Sequence, residues 1–191
     1  PVAAIAALWT MQALTPENLQ WLKLLPRGPL FLPLRYPRNQ EETWAGTEQD
    51  GVQLVHGSPL DEDEYVLVMR DAQESLLRSN YPLTFFGHTH IQGGFAYVDD
   101  RWETLRPLYQ ATHDVSETWV LDLGSQAKYM INPGSVGQPR DGDPRAAFCI
   151  FDPDRYEIIF YRVPYNIEKA QQQILAARLP ERLATRLAEG R

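Results

Sequence analysis

The chain has 191 residues, of which 43% are hydrophobic and 23% charged, and its formal net charge is −7. Those values fit one globular domain, exclude a disordered chain, and exclude the basic footprint of a protein that grips nucleic acid broadly. The single cysteine, Cys149 in the apolar run "AAFCIFD", excludes an internal disulfide framework, points to the reducing cytoplasm, and reads as plain core packing.

No apolar run approaches the ~18 residues of a membrane span. The opening "PVAAIAALWTMQAL" lacks a basic flank, so it reads as helix rather than as a signal peptide. Helix is expected over residues 3–25, with Thr15 as an N-cap and Pro16 at the first helical position of its second part. "PLFLPLRYP" reads as an edge strand, because Pro33 cannot donate to a ladder. "DGVQLVHG" reads as a second strand after an Asp50–Gly51 turn. A helix is expected over roughly 63–79, with Tyr65, Met69, Ala72 and Leu76 on one face and Asp61 or Asp63 capping its start. The acidic run "DEDE" at 61–64 then reads as the solvated start of that helix.

"LTFFG" reads as a short buried strand, followed by strands at "GGFAYVD", "TWVLDL", "KYMINP", "AAFCIFD" and "YEIIFYRV". Asn166 can cap "IEKAQQQILAAR", Leu179–Pro180 breaks it, and "ERLATRLAEG" ends on Gly190 as the residue past the helix. The order is that of an α+β protein: a single domain over 1–191 with a helical tail at 166–190.

Two strand ends carry imidazole. His56 closes "VQLVHGSP", and His88 and His90 follow the apolar strand in "TFFGHTH". The latter segment reads as extended, where side chains at i and i+2 share a side, so His88 and His90 are expected to converge on one point while Thr89 points away. Gly87 would let the chain turn at the strand end, and Gly93–Gly94 would let it leave. Neutral imidazole is a common ligand for zinc, iron, manganese and related ions. One histidine is more often a surface or core residue than a ligand. Two strand–histidine–turn signals separated by a helix are more specific. His113, in "ATHDVSE", has no such setting and reads as a solvated loop residue.

On "VHGSP", "GHTH" and "INPGSVGQPRDGDPRAAFCIFD" the sequence resembles the calcineurin-like metallophosphoesterase superfamily, in particular its small bacterial phosphodiesterase and phosphatase branch. The resemblance implies a layered α/β/β/α sandwich and two divalent ions (Mn, Fe, Zn or Ni). It implies hydrolysis of a phosphomonoester or phosphodiester substrate by attack of a bridging hydroxide on phosphorus. Carried over residue by residue, His56 and His88 would share one ion and His90 would hold its neighbour. The acidic and amide ligand blocks of that family (Asp-x-His, Gly-Asp and Gly-Asn-His) are not found before these histidines, and Gly142–Asp143 lies after them inside a turn. The N-terminal blocks are therefore expected to lie outside this chain. No catalytic residue is identified within it, and by itself it is expected to be inactive.

In "NPGSVGQPR", Ser135 and Arg140 are candidate substrate-binding donors to a phosphate. The plainer alternative has Pro133, Gly134, Gly137 and Pro139 building a turn, with Arg140 paired to Asp141 or Asp143; Asn132 serves either reading. Two further readings stand beside the hydrolase: a non-catalytic interaction scaffold of the same fold, and a closed three-histidine zinc site.

Overall fold

The computed structural model describes residues 2–33, 51–110 and 113–191. The first two elements are helices α1 (Val2–Ala13) and α2 (Pro16–Leu24). The helix expected over 3–25 is broken in two at Thr15, which caps the second part as expected, its hydroxyl accepting the Asn18 N–H at 3.2 Å. The strands are β1 (Leu30–Pro33), β2 (Gly51–Leu54), β3 (Leu83–Phe85), β4 (Gly93–Val98), β5 (Arg101–Leu105), β6 (Glu117–Asp122), β7 (Lys128–Asn132), β8 (Ala146–Asp152) and β9 (Glu157–Val163). Helix α3 (Met69–Arg78) joins β2 to β3, and α4 (Ile167–Ala176) and α5 (Glu181–Glu189) end the chain.

Two sheets form. The larger has the order β1-β2-β3-β7-β4-β5 and the smaller β6-β9-β8. β2, β3 and β7 are mutually parallel neighbours, and the other pairings are antiparallel. β1 is an edge strand, as its proline requires; the rest of the predicted "PLFLPLRYP" strand and Asp50 lie outside the described residues.

The period-2 alternation of strands decides what each face covers. Tyr129 and Ile131 of β7 look into a core shared with Val52, Leu83 and Ala96 of the large sheet and Ile158 and Phe160 of the small one. Met130, between them, faces the other way. It meets Phe86, Phe95, Ala72 and Leu76 under α3. The chain is thus the α+β sandwich that the sequence implied, with the two sheets face to face and α3 on the outside of the larger one. Cys149 packs against the inter-sheet core, and burial pushes its thiol up to about 12. Among the described residues no helix is long and apolar enough to cross a membrane.

Two elements differ from expectation. α3 starts at Met69, six residues later than the periodicity suggested, so Tyr65 is not on it. The cause is competing side-chain bonding. Ser58 Oγ accepts the N–H groups of Leu60 and Asp61, both at 3.1 Å, and Asp61 accepts that of Asp63 at 2.9 Å. These bonds hold 58–64 in turns. Asp71, rather than Asp61 or Asp63, caps the helix by accepting from Leu67 and Val68. Strand β5 was not foreseen. It closes a hairpin with β4 through Asp99 and Asp100, both left-handed (φ 47° and 59°), which is the two-residue turn that Asp supports almost as well as Asn.

Replacing Ile131, which is fully buried between the sheets, by alanine should cost about 2–5 kcal/mol of stability. Val120→Ala, at a strand position 49% exposed, should cost less than about 1 kcal/mol. Denaturant midpoints at unchanged slope would measure both.

Candidate metal centre

The parallel order β2-β3-β7 brings three loops to one end of the sheet, the carboxyl ends where open α/β sheets place their ligands. His56 follows β2, the "GHTH" loop follows β3, and Asn132–Arg140 follows β7. Backbone bonds continue past the strands: Val55 N–H to Phe85 O at 2.9 Å, Gly87 N–H to His56 O at 2.8 Å and Phe86 N–H to Ile131 O at 2.9 Å. The His56 and His88 rings meet edge to face with centroids 4.6 Å apart.

The loop geometry is not the expected one. Residues 87–91 are not extended. His88 and His90 both have left-handed backbones, φ 62° and 61°, whereas Gly87 does not. The sharp turn is therefore made by the histidines themselves. Such non-glycine outliers cost of order 1–3 kcal/mol each and persist only where surroundings impose them. Here Asn132 does so. Its buried amide donates to Gly87 O at 3.0 Å and to Thr89 Oγ1 at 2.8 Å, and its Oδ1 accepts the Gly134 N–H at 2.9 Å. Thr89 is thereby held inward between the two histidines. Asn132 is a positioning residue, which decides the choice the sequence left open.

Gln92, buried just beyond His90, is a second clamp that sequence reading missed. Its Nε2 is within 3.1 Å of the carbonyls of Pro133, Phe148 and Tyr161, and its Oε1 accepts the Tyr109 hydroxyl at 2.8 Å. It ties the histidine loop to β8 and β9 of the small sheet. Nothing in "HIQGG" distinguishes it from a surface glutamine. Its N–H donates to Asp141, which also pairs with the buried Arg162. Asp143 takes Arg145 at 2.6 Å, and Arg145 reaches on to Glu117. So Arg140 pairs with neither acid, against the plainer alternative. Its Nη2 donates to Gln138 Oε1 at 3.0 Å.

His90 is half-buried. Burial pushes it below the ordinary imidazole range, the Gln138 carbonyl works the other way, and the charges of Arg140, Arg186 and His88 lower it further. It is therefore neutral near pH 7. Its Nδ1 lies 2.8 Å from Gln138 O, an atom that can only accept, so Nδ1 carries the proton and Nε2 has the free lone pair. A carbonyl on one imidazole nitrogen is the usual support of a metal-binding histidine. The donor chemistry thus fits a divalent ion, but as part of a set. Among the described residues no three His, Cys, Asp or Glu side chains are grouped to hold a metal alone. That also removes the closed three-histidine zinc site from these residues. His56 is exposed and His88 half-buried, so the pair opens to solvent. Tyr65, put in a loop by the late start of α3, lies over His88 with ring centroids 3.9 Å apart. Ser135 Oγ is engaged in its own turn, accepting from Gln138 N at 2.9 Å. His113 is exposed.

The chain belongs to the metallophosphoesterases, in the calcineurin-like superfamily. A crystal structure of a metallophosphoesterase from Sphaerobacter thermophilus is 35% identical to it, matching 100% of this chain and 68% of that one with a TM-score of 0.73. An uncharacterized protein of Methanocaldococcus jannaschii is 36% identical over 189 residues, which are 98% of this chain and 66% of the relative. The chain therefore spans just under two thirds of that relative's length. A hypothetical protein from Pyrococcus horikoshii OT3 is 17% identical, covers 92% of this chain and 55% of its own, and shares the fold with a TM-score of 0.60. No protein-family model matches the chain.

Asn132→Ala should lower stability by about 1–3 kcal/mol, because it removes the buried amide that bonds the Gly87 carbonyl, the Thr89 hydroxyl and the Gly134 N–H together; equilibrium unfolding measures this. Acid should also loosen the loop that carries Arg140. Burial raises the Asp143 carboxyl, but the bonds and charges of Arg145 and Arg162 outweigh that and hold it below its ordinary value. A carboxyl depressed in the folded state contributes fully above its unfolded value, about pH 4, and loses that contribution as pH falls through the folded value. Urea midpoints taken from about pH 6 down to 2 should fall more steeply for the natural protein than for Asp143→Asn.

Proposed function

We propose that this chain is part of a metal-dependent hydrolase of phosphomonoesters or phosphodiesters, with His56, His88 and His90 among the ligands of two divalent ions (Mn, Fe, Zn or Ni). The observation that carries this reading is the meeting of His56 and His88 at the carboxyl ends of parallel strands in a chain related to a metallophosphoesterase. When bound, such ions supply Lewis acidity toward water and the phosphoryl oxygens. The chain's own residues do the rest. His90 presents Nε2 because its Nδ1–H donates to the Gln138 carbonyl, which keeps the proton on Nδ1. Asn132 and Gln92 fix the histidine loop so that little reorganisation accompanies binding. Arg140, whose backbone N–H donates to His90 O, offers a guanidinium to a phosphate of the substrate. Ser135 is a weaker candidate, since its oxygen serves its own turn.

Three neutral imidazoles bring no negative charge to offset two dications, so this reading assigns carboxylate ligands to residues outside those described. The lone cysteine favours a cytoplasmic setting. The second reading is a non-catalytic scaffold of the same fold, favoured by the lack of a complete metal group among the described residues.

The test is turnover of bis(p-nitrophenyl) phosphate by the complete gene product, stripped with chelator and reloaded with manganese. Activity should depend on metal, and His88→Ala should lower kcat/KM by about 100-fold or more. Equal activity of the variant, or activity without metal, would overturn the assignment. Failure to bind or use any divalent ion would favour the scaffold.

A further inference from the structure

The last helix meets the site loop directly. α5 ends on Gly190, left-handed at φ 62°, whose carbonyl accepts the Gly142 N–H at 3.0 Å. A Cβ on Gly190 would stand 2.9 Å from the backbone of Asp143, so helix end and loop are in contact. Arg186 lies about one turn earlier on α5 and is half-buried. Arg140 lies two residues before Gly142, and its N–H donates to His90 O at 3.1 Å. Two short links therefore gather His90, Arg140 and Arg186 into one corner. The arginines are near enough that each charge bears on His90 and that Arg140 and Arg182 both weigh on Arg186.

Among the described residues no acid pairs with the arginines of this corner. The loop's carboxylates are committed inward, Asp141 to Arg162 and Asp143 to Arg145 and Arg162. Among the described residues, Arg140, Arg182 and Arg186 enter no ion pair with a carboxylate. Arg140 spends one nitrogen on Gln138, and its Nε is buried without a partner. Arg186 Nε donates to the carbonyl of Arg191. Keeping like charges together, one of them with an orphaned donor, is unfavourable unless an anion joins them.

We propose that Arg140 and Arg186 form an anion subsite beside His90 that seats a second, non-reacting phosphate of the substrate, so that the preferred phosphoester carries two phosphoryl groups. The proposal rests on the phosphoester hydrolase reading for what reacts, but the subsite can be tested apart from turnover. The first arm is calorimetric titration of the metal-free complete gene product with inorganic pyrophosphate and with inorganic phosphate. Pyrophosphate should bind more tightly. Arg140→Ala and Arg186→Ala should each weaken it roughly tenfold, the size expected for a charged hydrogen bond. Arg186→Lys should keep part of the affinity. Arg101→Ala, which removes the same charge from an exposed place on β5, should leave it unchanged.

The second arm compares thymidine 5′-(p-nitrophenyl phosphate) with and without a 3′-phosphate, using metal-loaded protein. The kcat/KM ratio favouring the 3′-phosphorylated ester should fall roughly tenfold in Arg186→Ala. Pyrophosphate binding indifferent to both arginines would overturn the subsite. An equal loss on the two esters would overturn it too, by putting the arginines on the reacting phosphate. If neither ester is hydrolysed with any metal, the hydrolase reading fails while the titrations still decide the subsite.

Discussion

Everything in the candidate centre depends on holding two histidines in backbone conformations they do not favour. His88 and His90 are left-handed, with Thr89 buried between them. Left alone, that loop would relax toward the extended form its sequence suggests. Two buried amides prevent it. Asn132, at the end of a central parallel strand, grips the loop from one side, and Gln92 anchors its exit to the small sheet. Both amides are nearly fully satisfied, which makes them rigid supports rather than a source of instability. The strain of the loop is thus carried by the sandwich as a whole.

The second organising fact is where the acids go. Asp141, Asp143 and Glu117 are near the site in sequence or space, yet they are turned to Arg162 and Arg145, whose side chains are 4% and 1% exposed. Tyr109 completes the packing. It lies against both guanidinium groups at 5.5 and 5.7 Å, and burial, only partly offset by those two charges, pushes its hydroxyl up to about 12. A buried pair of this kind does little for net stability but penalises loss of either partner heavily. Its effect here is to fix the loop after β7 against β9. It also leaves Arg140 of that loop unpaired to either of the loop's acids.

Much of the architecture was legible in the chain. Apolar runs announced eight of the nine strands described, Pro33 marked the edge of the large sheet, and Thr15, Asn166 and Gly190 punctuated helices as their side chains and backbone freedom require. The residue types of the centre were legible too, because imidazole at strand ends followed by tight turns is a chemical signal carried by local sequence. Where reading failed, a local bond had won. Ser58, Asp61 and Asp71 delayed α3 and freed Tyr65, and Asp99–Asp100 formed a hairpin that no glycine advertised.

What the tertiary structure alone decided is which polar side chains act on the site. Of six polar residues, Arg140 is by sequence a candidate phosphate donor and Asn132 serves either reading, while Gln92, Arg145, Arg162 and Arg186 are without rank. Two of them clamp the histidine loop, two absorb the loop's acids, and two bring their charge to bear on His90 while pairing with no carboxylate among the described residues. The physical reason is range. Strand periodicity and caps act over a few neighbouring residues and can be read along the chain. Buried amides and guanidinium groups here also find partners 17 to 69 residues away, and only the folded sheet order brings those together.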